Sequence, residues 1–232
     1  MLRPSLEVLS IEDVDYNVLM IDTRKLSYRS AAEAFNTEVR KNAAIIKDIL
    51  VFLHQDIAFD NSELFFTIEN ELATYPNQIL GVAGMPYTGK TISNLRYKED
   101  RSFITKTRAT VKTKVCSVDE CCFALSKDSF INLFFDENVC DNWHLYAVEL
   151  CYHASIEYNM SSYVLPISIF HKENSAGGMT TDSAFLRTLW KLARKYKNDV
   201  STIYAPCYIV STRTTHLFLK LFRTFIKNLL HL

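Results

Sequence analysis

Glycine and proline are scarce in this 232-residue chain, with five of each. That argues against a loop-rich β-sandwich and against a glycine-dense dinucleotide fold. An excess of one charge is missing too: 26 Lys and Arg face 26 Asp and Glu, giving a net charge of zero. Chains that live on bulk DNA or RNA are usually basic, so no nucleic-acid partner is expected. No apolar run approaches the roughly 18 residues a membrane-spanning helix needs, and no signal peptide is expected at the start. Six cysteines stand at 116, 121, 122, 140, 151 and 207, without a C-x-x-C pair. Adjacent Cys121 and Cys122 are awkward for tetrahedral zinc, and reduced, mostly buried thiols in a cytoplasmic protein are the expectation. What is present is a 48% hydrophobic share with 12 Tyr and 15 Phe. That suffices for a sizeable core in one large domain, alone or with a short appendage.

Hydrophobic spacing orders the first third of the chain. Tyr16–Asp22 reads as a short apolar strand ending in a carboxylate. Ser30 then reads as an N-cap, with Glu33 at capping-box distance and an amphipathic run to about Ala44. Ile49–Leu53 is a continuous apolar run, the pattern of a strand covered on both faces. Asp60 or Asn61 caps a helix reaching about Tyr75, and Ile79–Gly84 is another short buried strand. Strands alternating with helices predict an α/β sheet, mainly parallel, with Val18–Asp22, Ile49–Leu53 and Ile79–Ala83 as neighbours.

Residues 85–114 are polar and rich in Lys, Arg and Thr, which suits a mobile loop or hairpin. Order returns over Val115–Leu125. Helical spacing marks Trp143–Glu157, strand character Tyr163–Phe170, and a helix near Asp182–Lys197 follows the break at Ser175–Gly178.

Two sets of residues carry chemistry. Gly84-Met85-Pro86-Tyr87-Thr88-Gly89-Lys90-Thr91 fits the phosphate-loop pattern G-x-x-x-x-G-K-[ST]. A phosphate loop must feed a packed helix, yet the residues after Thr91 offer almost no apolar face. The second set is His54-Gln55-Asp56, where an apolar strand ends, and His171, just after another. A carboxylate at such an edge takes Mg2+ or Mn2+ together with diphosphate oxygens, and an imidazole completes the set. For Asp56 or His171 alone, a cap or a solvated turn is the plainer reading.

The order of these elements resembles the family-2-like bacterial glycosyltransferases of GT-A fold. Carrying the resemblance are Asp22 after its strand, S-A-A-E-A-F-N at 30–36, V-F-L-H-Q-D at 51–56 and G-V-A-G at 81–84. They continue with D-E-C-C at 119–122, F-D-E and W-H-L-Y-A-V-E-L-C within 135–151, and V-L-P-I-S-I-F-H-K at 164–172. The resemblance covers about two thirds of the chain. It implies a GT-A-like, Rossmann-related domain over 1–180, with a helical extension over 181–232 packed on it or on a membrane. It also implies a nucleotide-sugar donor, a saccharide or lipid-linked acceptor in polysaccharide or glycolipid assembly, and a Mn2+ or Mg2+ ion.

Residue by residue, Asp22, Asn36, His54, Gln55 and Asp56 match positions lining the nucleotide-sugar pocket. Asp56 and His171 match metal ligands, with His54 standing where the family's first acid would be. Two departures are evident. Many relatives carry an acid pair where this chain has Tyr146-Ala147. The base must then be His144, three residues before Ala147, Glu149, about 200° further round a helix, or Asp141 nearby. Little precedes Tyr16, so a shortened member is implied. A binding relative without turnover and a phosphate-loop NTPase are the alternatives. Over Thr212–Leu232, apolar residues at helical spacing alternate with Lys220, Arg223 and Lys227. That suits either a helix docked on the core or a basic amphipathic helix at the inner face of a membrane.

Overall fold

In the computed structural model, the residues described are 14–22, 27–172, 183–206 and 208–213, with 218, 219, 222, 223 and 226. The Gly-rich break at Ser175–Gly178 and most of the expected helix over 212–232 lie outside them. Helix α1 (Ala31–Lys41) starts as its sequence predicts: Ser30 Oγ accepts from Glu33 N–H at 3.1 Å, and Glu33 reaches back to Arg29 N–H at 2.7 Å. Strands β1 (Ile49–Leu53) and β2 (Ile57–Ala58) come next, then α2 (Glu63–Thr74), whose first N–H is met by Asn61 Oδ1 at 3.1 Å. The chain continues through β3 (Gln78–Gly81), β4 (Ala83–Met85), β5 (Ile92–Ser93), β6 (Leu95–Tyr97), β7 (Thr113–Val115), β8 (Ser117–Val118) and β9 (Cys122–Ser126). Helices α3 (Lys127–Leu133) and α4 (Tyr146–Tyr158), strands β10 (Ser161–Val164) and β11 (Ile169–His171), helix α5 (Ser183–Lys195) and the hairpin β12 (Thr202–Ala205)–β13 (Tyr208–Ser211) complete it.

The central sheet has the order β1-β9-β3-β10-β7. Only β3 and β10 run parallel; β1–β9, β9–β3 and β10–β7 are antiparallel. The sheet is therefore mixed rather than mainly parallel. Residues 14–22 take no strand, and β9 inserts between β1 and β3. Alternation predicts which faces are apolar but not which strands pair, because pairing depends on a segment seventy residues away. A smaller sheet, β2-β11-β6, stands beside it, with a third of order β5-β4-β8.

Successive side chains leave a strand on opposite faces, and here they enter two separate cores. Ile79, Phe123 and Leu125 pack with α1, α3, α4 and α5; Leu80, Cys122 and Ala124 pack with Leu64, Ile68 and Leu72 of α2. β1 is covered on both faces as expected, but as an edge strand only Phe52 is fully buried. The segment 181–232 is not helical throughout: after α5 the β12–β13 hairpin forms, and both pack into the first core through Phe185, Leu189, Leu192, Ile203 and Val210. Thr212 still belongs to the hairpin base, its N–H on Ser201 O at 3.0 Å. Among the described residues no helix is long and apolar enough to cross a membrane. Cys116, Cys121, Cys122, Cys140 and Cys151 are free and buried, and burial pushes the Cys122 thiol up to about 12.

The phosphate-loop pattern folds as a hairpin. Gly84 and Met85 belong to β4, a turn closes through Gly89 N–H on Pro86 O at 3.0 Å with φ 73° at Gly89, and Ile92 returns opposite Gly84. Beyond Thr91 the chain enters strand β5, so no helix N-terminus presents amides to a phosphate. Gly84 has a packing reason instead: a Cβ there would lie 2.6 Å from Ser117 O.

Candidate functional site

Where β1 ends, the chain turns through His54, Gln55 and Asp56 into β2. The turn is pinned on three sides. His54 N–H donates to Cys121 O at 3.0 Å, Ile57 N–H to His54 O at 3.3 Å, and Lys172 N–H to Asp56 O at 3.0 Å. β2 pairs with β11 with His171 opposite Ile57, which carries His171 to the same place. His54, Asp56 and His171 each present one ligand atom, and these lie within 4.8 Å of one another. Gln55 is exposed on the turn between them.

Hydrogen-bond chemistry fixes how His171 meets Asp56. Its Nδ1 lies 2.8 Å from Lys172 O, and a carbonyl only accepts, so Nδ1 carries the proton. Nε2 faces Asp56 Oδ2, 3.3 Å away. That nitrogen and a carboxylate face each other stably only with positive charge between them, a proton on Nε2 or a bound cation. On the other side of the cluster, His54 Nε2 lies 3.1 Å from Tyr146 Oη. If Nε2–H donates to that oxygen, Nδ1 is the nitrogen left for a cation. Burial holds the His54 imidazole below its ordinary value, against the pull of Asp119 and Asp56, so the neutral ligand form is favoured. Two imidazoles and a carboxylate fit a divalent cation.

Two groups that sequence reasoning did not single out follow on from the cluster, Tyr146 against His54 and Glu120 against the start of the helix that Tyr146 opens. Tyr146 is 2% exposed and opens α4 after Leu145, which takes a left-handed φ of 65°. That conformation costs a non-glycine residue about 1 kcal/mol, and here it directs the tyrosine at His54. Glu120 lies one residue before Cys121 and faces the start of α4. Burial and neighbouring Asp119 push its carboxyl up to about 8, against the N–H groups of Tyr146, Ala147 and Leu145, which favour the charged form. Its Oε1 is shut off from solvent without a hydrogen-bond partner. An acid two residues before the buried strand β9 is the signal that marks it in the sequence.

The remaining candidates are not members of the three-residue cluster. Asn36 is buried and clamps the segment after α3, donating to Phe135 O and Glu137 Oε1 at 2.9 Å and accepting from Phe135 N–H at 3.0 Å. Asp22 is half-buried in irregular chain. Glu149 is 0% exposed and bonded to Lys195 Nζ at 2.7 Å and Tyr196 Oη at 2.9 Å. Asp141 pairs with Lys191 at 2.9 Å and Arg187 at 3.6 Å. His144 precedes α4 rather than lying on it, so its helical phase with Ala147 does not apply; its ring meets Phe185 at 5.7 Å.

No family model matches the chain, and no curated protein matches it in sequence. Among solved structures, GalNAc-T7, determined with UDP, GalNAc and Mn2+, is similar with a TM-score of 0.50 over 71% of this chain at 14% identity. The fold is GT-A-like. The matching part makes up 34% of the GalNAc-T7 chain, so this chain spans about a third of that structure's length. The likeness concerns the mixed α/β core and its flanking helices.

Proposed function

We propose that this chain is a metal-dependent glycosyltransferase that moves a sugar from a nucleoside-diphosphate donor to an acceptor hydroxyl. The observation that carries the reading is the His54–Asp56–His171 cluster at the edge of a GT-A-like fold. Support also comes from GalNAc-T7, which holds UDP and Mn2+, and from the resemblance to bacterial family-2 enzymes in surface-polysaccharide or glycolipid assembly. Asp56, His171 and His54 Nδ1 hold the cation. Two imidazoles favour Mn2+ over Mg2+, which prefers carboxylates and phosphates. When bound, the cation neutralises charge building on the departing diphosphate.

The acceptor's proton needs a base. Glu149 is fully buried with its oxygens taken by Lys195 and Tyr196, and the two cations beside Asp141 hold its carboxyl below the ordinary value. We assign the role to His144, at the half-buried turn that leads into Tyr146. Asp22 and Gln55 are assigned to the donor pocket, and Asn36 to holding the segment that closes it.

Titration of Mn2+ and UDP into the purified chain tests the reading. Asp56→Ala should abolish Mn2+-dependent UDP binding and Lys90→Ala should leave it unchanged; equal losses would sink the assignment. With a saccharide acceptor, His144→Ala should slow transfer about 10²–10⁴-fold with Mn2+ binding intact. A chain that binds donor yet transfers to no acceptor would instead be a binding relative without turnover.

A further inference from the structure

Residues 86–114 hold eight Lys or Arg and two acids, in a chain whose total charge is zero. Two of these cations are neutralised where they lie, Arg101 by Asp60 and Lys112 by Glu71. Arg96 and Arg108 are not. Both guanidiniums stack on one ring, that of Phe103, at 4.2 and 4.4 Å from its centroid. Neither has a carboxylate partner among the described residues, and Arg96 Nε is shut off from solvent with no hydrogen-bond acceptor. We propose that Arg96 and Arg108 form an oxyanion site for a phosphate or diphosphate group, separate from the His54–Asp56–His171 cluster.

The arrangement is built rather than a chance of exposed side chains. Phe103 is fixed opposite Arg96 by a β-bridge, and Ile104 N–H bonds Leu95 O at 3.0 Å. Arg108 is brought in by the next residue. The buried Asn94 side chain grips Ala109 by both backbone groups, Nδ2 on its O and Oδ1 on its N–H at 3.0 Å, and also donates to Leu165 O at 2.9 Å. Holding two like charges over one ring is unfavourable unless an anion joins them. Stacking occupies the faces of the two guanidiniums and directs their N–H groups into the ring planes, the geometry in which a guanidinium meets phosphate oxygens in pairs.

Register separates this site from the metal cluster. Arg96 sits opposite Phe170 in the parallel β6–β11 pair, and His171 is the next residue. Neighbours along a strand leave it on opposite faces, so Arg96 and His171 lie on the two sides of one small sheet. The phosphate comes either from a phosphorylated acceptor or from a donor diphosphate reaching over the sheet edge. The site stands whether or not the cluster binds metal.

Calorimetric titration of inorganic diphosphate into the full chain, with EDTA and at low salt, tests the proposal. Wild type should bind. Arg96→Gln with Arg108→Gln should weaken binding by about 10-fold or more, and Asp56→Asn should not. Arg96→Lys, which keeps the charge without the fork, should fall between, and thermal melting confirms that each variant is folded. Displacement of diphosphate by UDP assigns the site to the donor, and displacement by glucose 1-phosphate to an acceptor; either upholds it. No binding by wild type, unchanged binding in the double variant, or binding that needs Mn2+ and Asp56 would overturn it.

Discussion

The hydroxyl of Tyr146 lies 3.1 Å from His54 Nε2, and a ring nitrogen holds a proton or a lone pair, never both. Under the metal reading the proton is on Nε2, so the phenol oxygen accepts and holds the ring with Nδ1 toward the cation. Tyr146→Phe removes that oxygen and keeps the buried ring, so Mn2+ affinity by calorimetry should drop about 10–100-fold while the melting temperature stays close to wild type. Glu120 makes a second prediction through its proton. Its carboxyl is raised from 4.5 to about 8 in the folded chain, so the native state keeps a proton that the unfolded state releases. Its contribution to stability is therefore full below about pH 4.5, falls as pH rises, and is lost by about pH 8. Glu120→Gln mimics the protonated form. Melting of wild type and variant at pH 5 and pH 8.5 should show the variant gaining on wild type with rising pH, and parallel curves would refute it.

At the scale of elements, α5 is joined to α4 by the bonds Lys195 and Tyr196 make to Glu149, with Lys195 also on Asp136 Oδ2 at 2.7 Å. A carboxylate with no exposure depends on that cation. Lys195→Met should destabilise by about 3 kcal/mol in urea unfolding, and Glu149→Met with it should recover much of the loss, because the uncompensated charge is then gone. Much of the element list was legible from spacing. The Ser30 cap, β1, α2 and α5 fall within a residue or two of their expected bounds, since caps and apolar periods are local. Less legible were elements whose form depends on partners. Residues 85–114 look patternless because short strands alternate with turns, and two of those strands are completed by distant ones, β6 by β11 and β7 by β10. The Gly84–Thr91 pattern matches a phosphate loop by residue type alone, and the return of β5 onto β4 settles its backbone.

Across the whole molecule, the central sheet divides two cores, and the larger one is closed by α5 and the last hairpin. A chain ended at residue 182 lacks Phe185, Leu189, Leu192, Tyr196, Ile203 and Val210 and leaves the covered faces of α4 and β8 in water. It should lose the near-ultraviolet circular dichroism of the full chain and its cooperative melting; a sharp melt would show that the first 182 residues fold alone. Residue types and local periods were enough to establish that the chain is α/β, that the thiols among the described residues are buried, and that Asp56 and His171 stand at strand ends. None of those properties needs knowledge of distant contacts. Folding in three dimensions put β9 between β1 and β3 and made the sheet mixed, because pairing joins segments that carry no mutual mark in the chain. It also brought His54 to the two expected ligands and Tyr146 to His54 across ninety-two residues. Arg96, Phe103 and Arg108 become one stack for the same reason: a site is a convergence of side chains in space, and only packing brings them together.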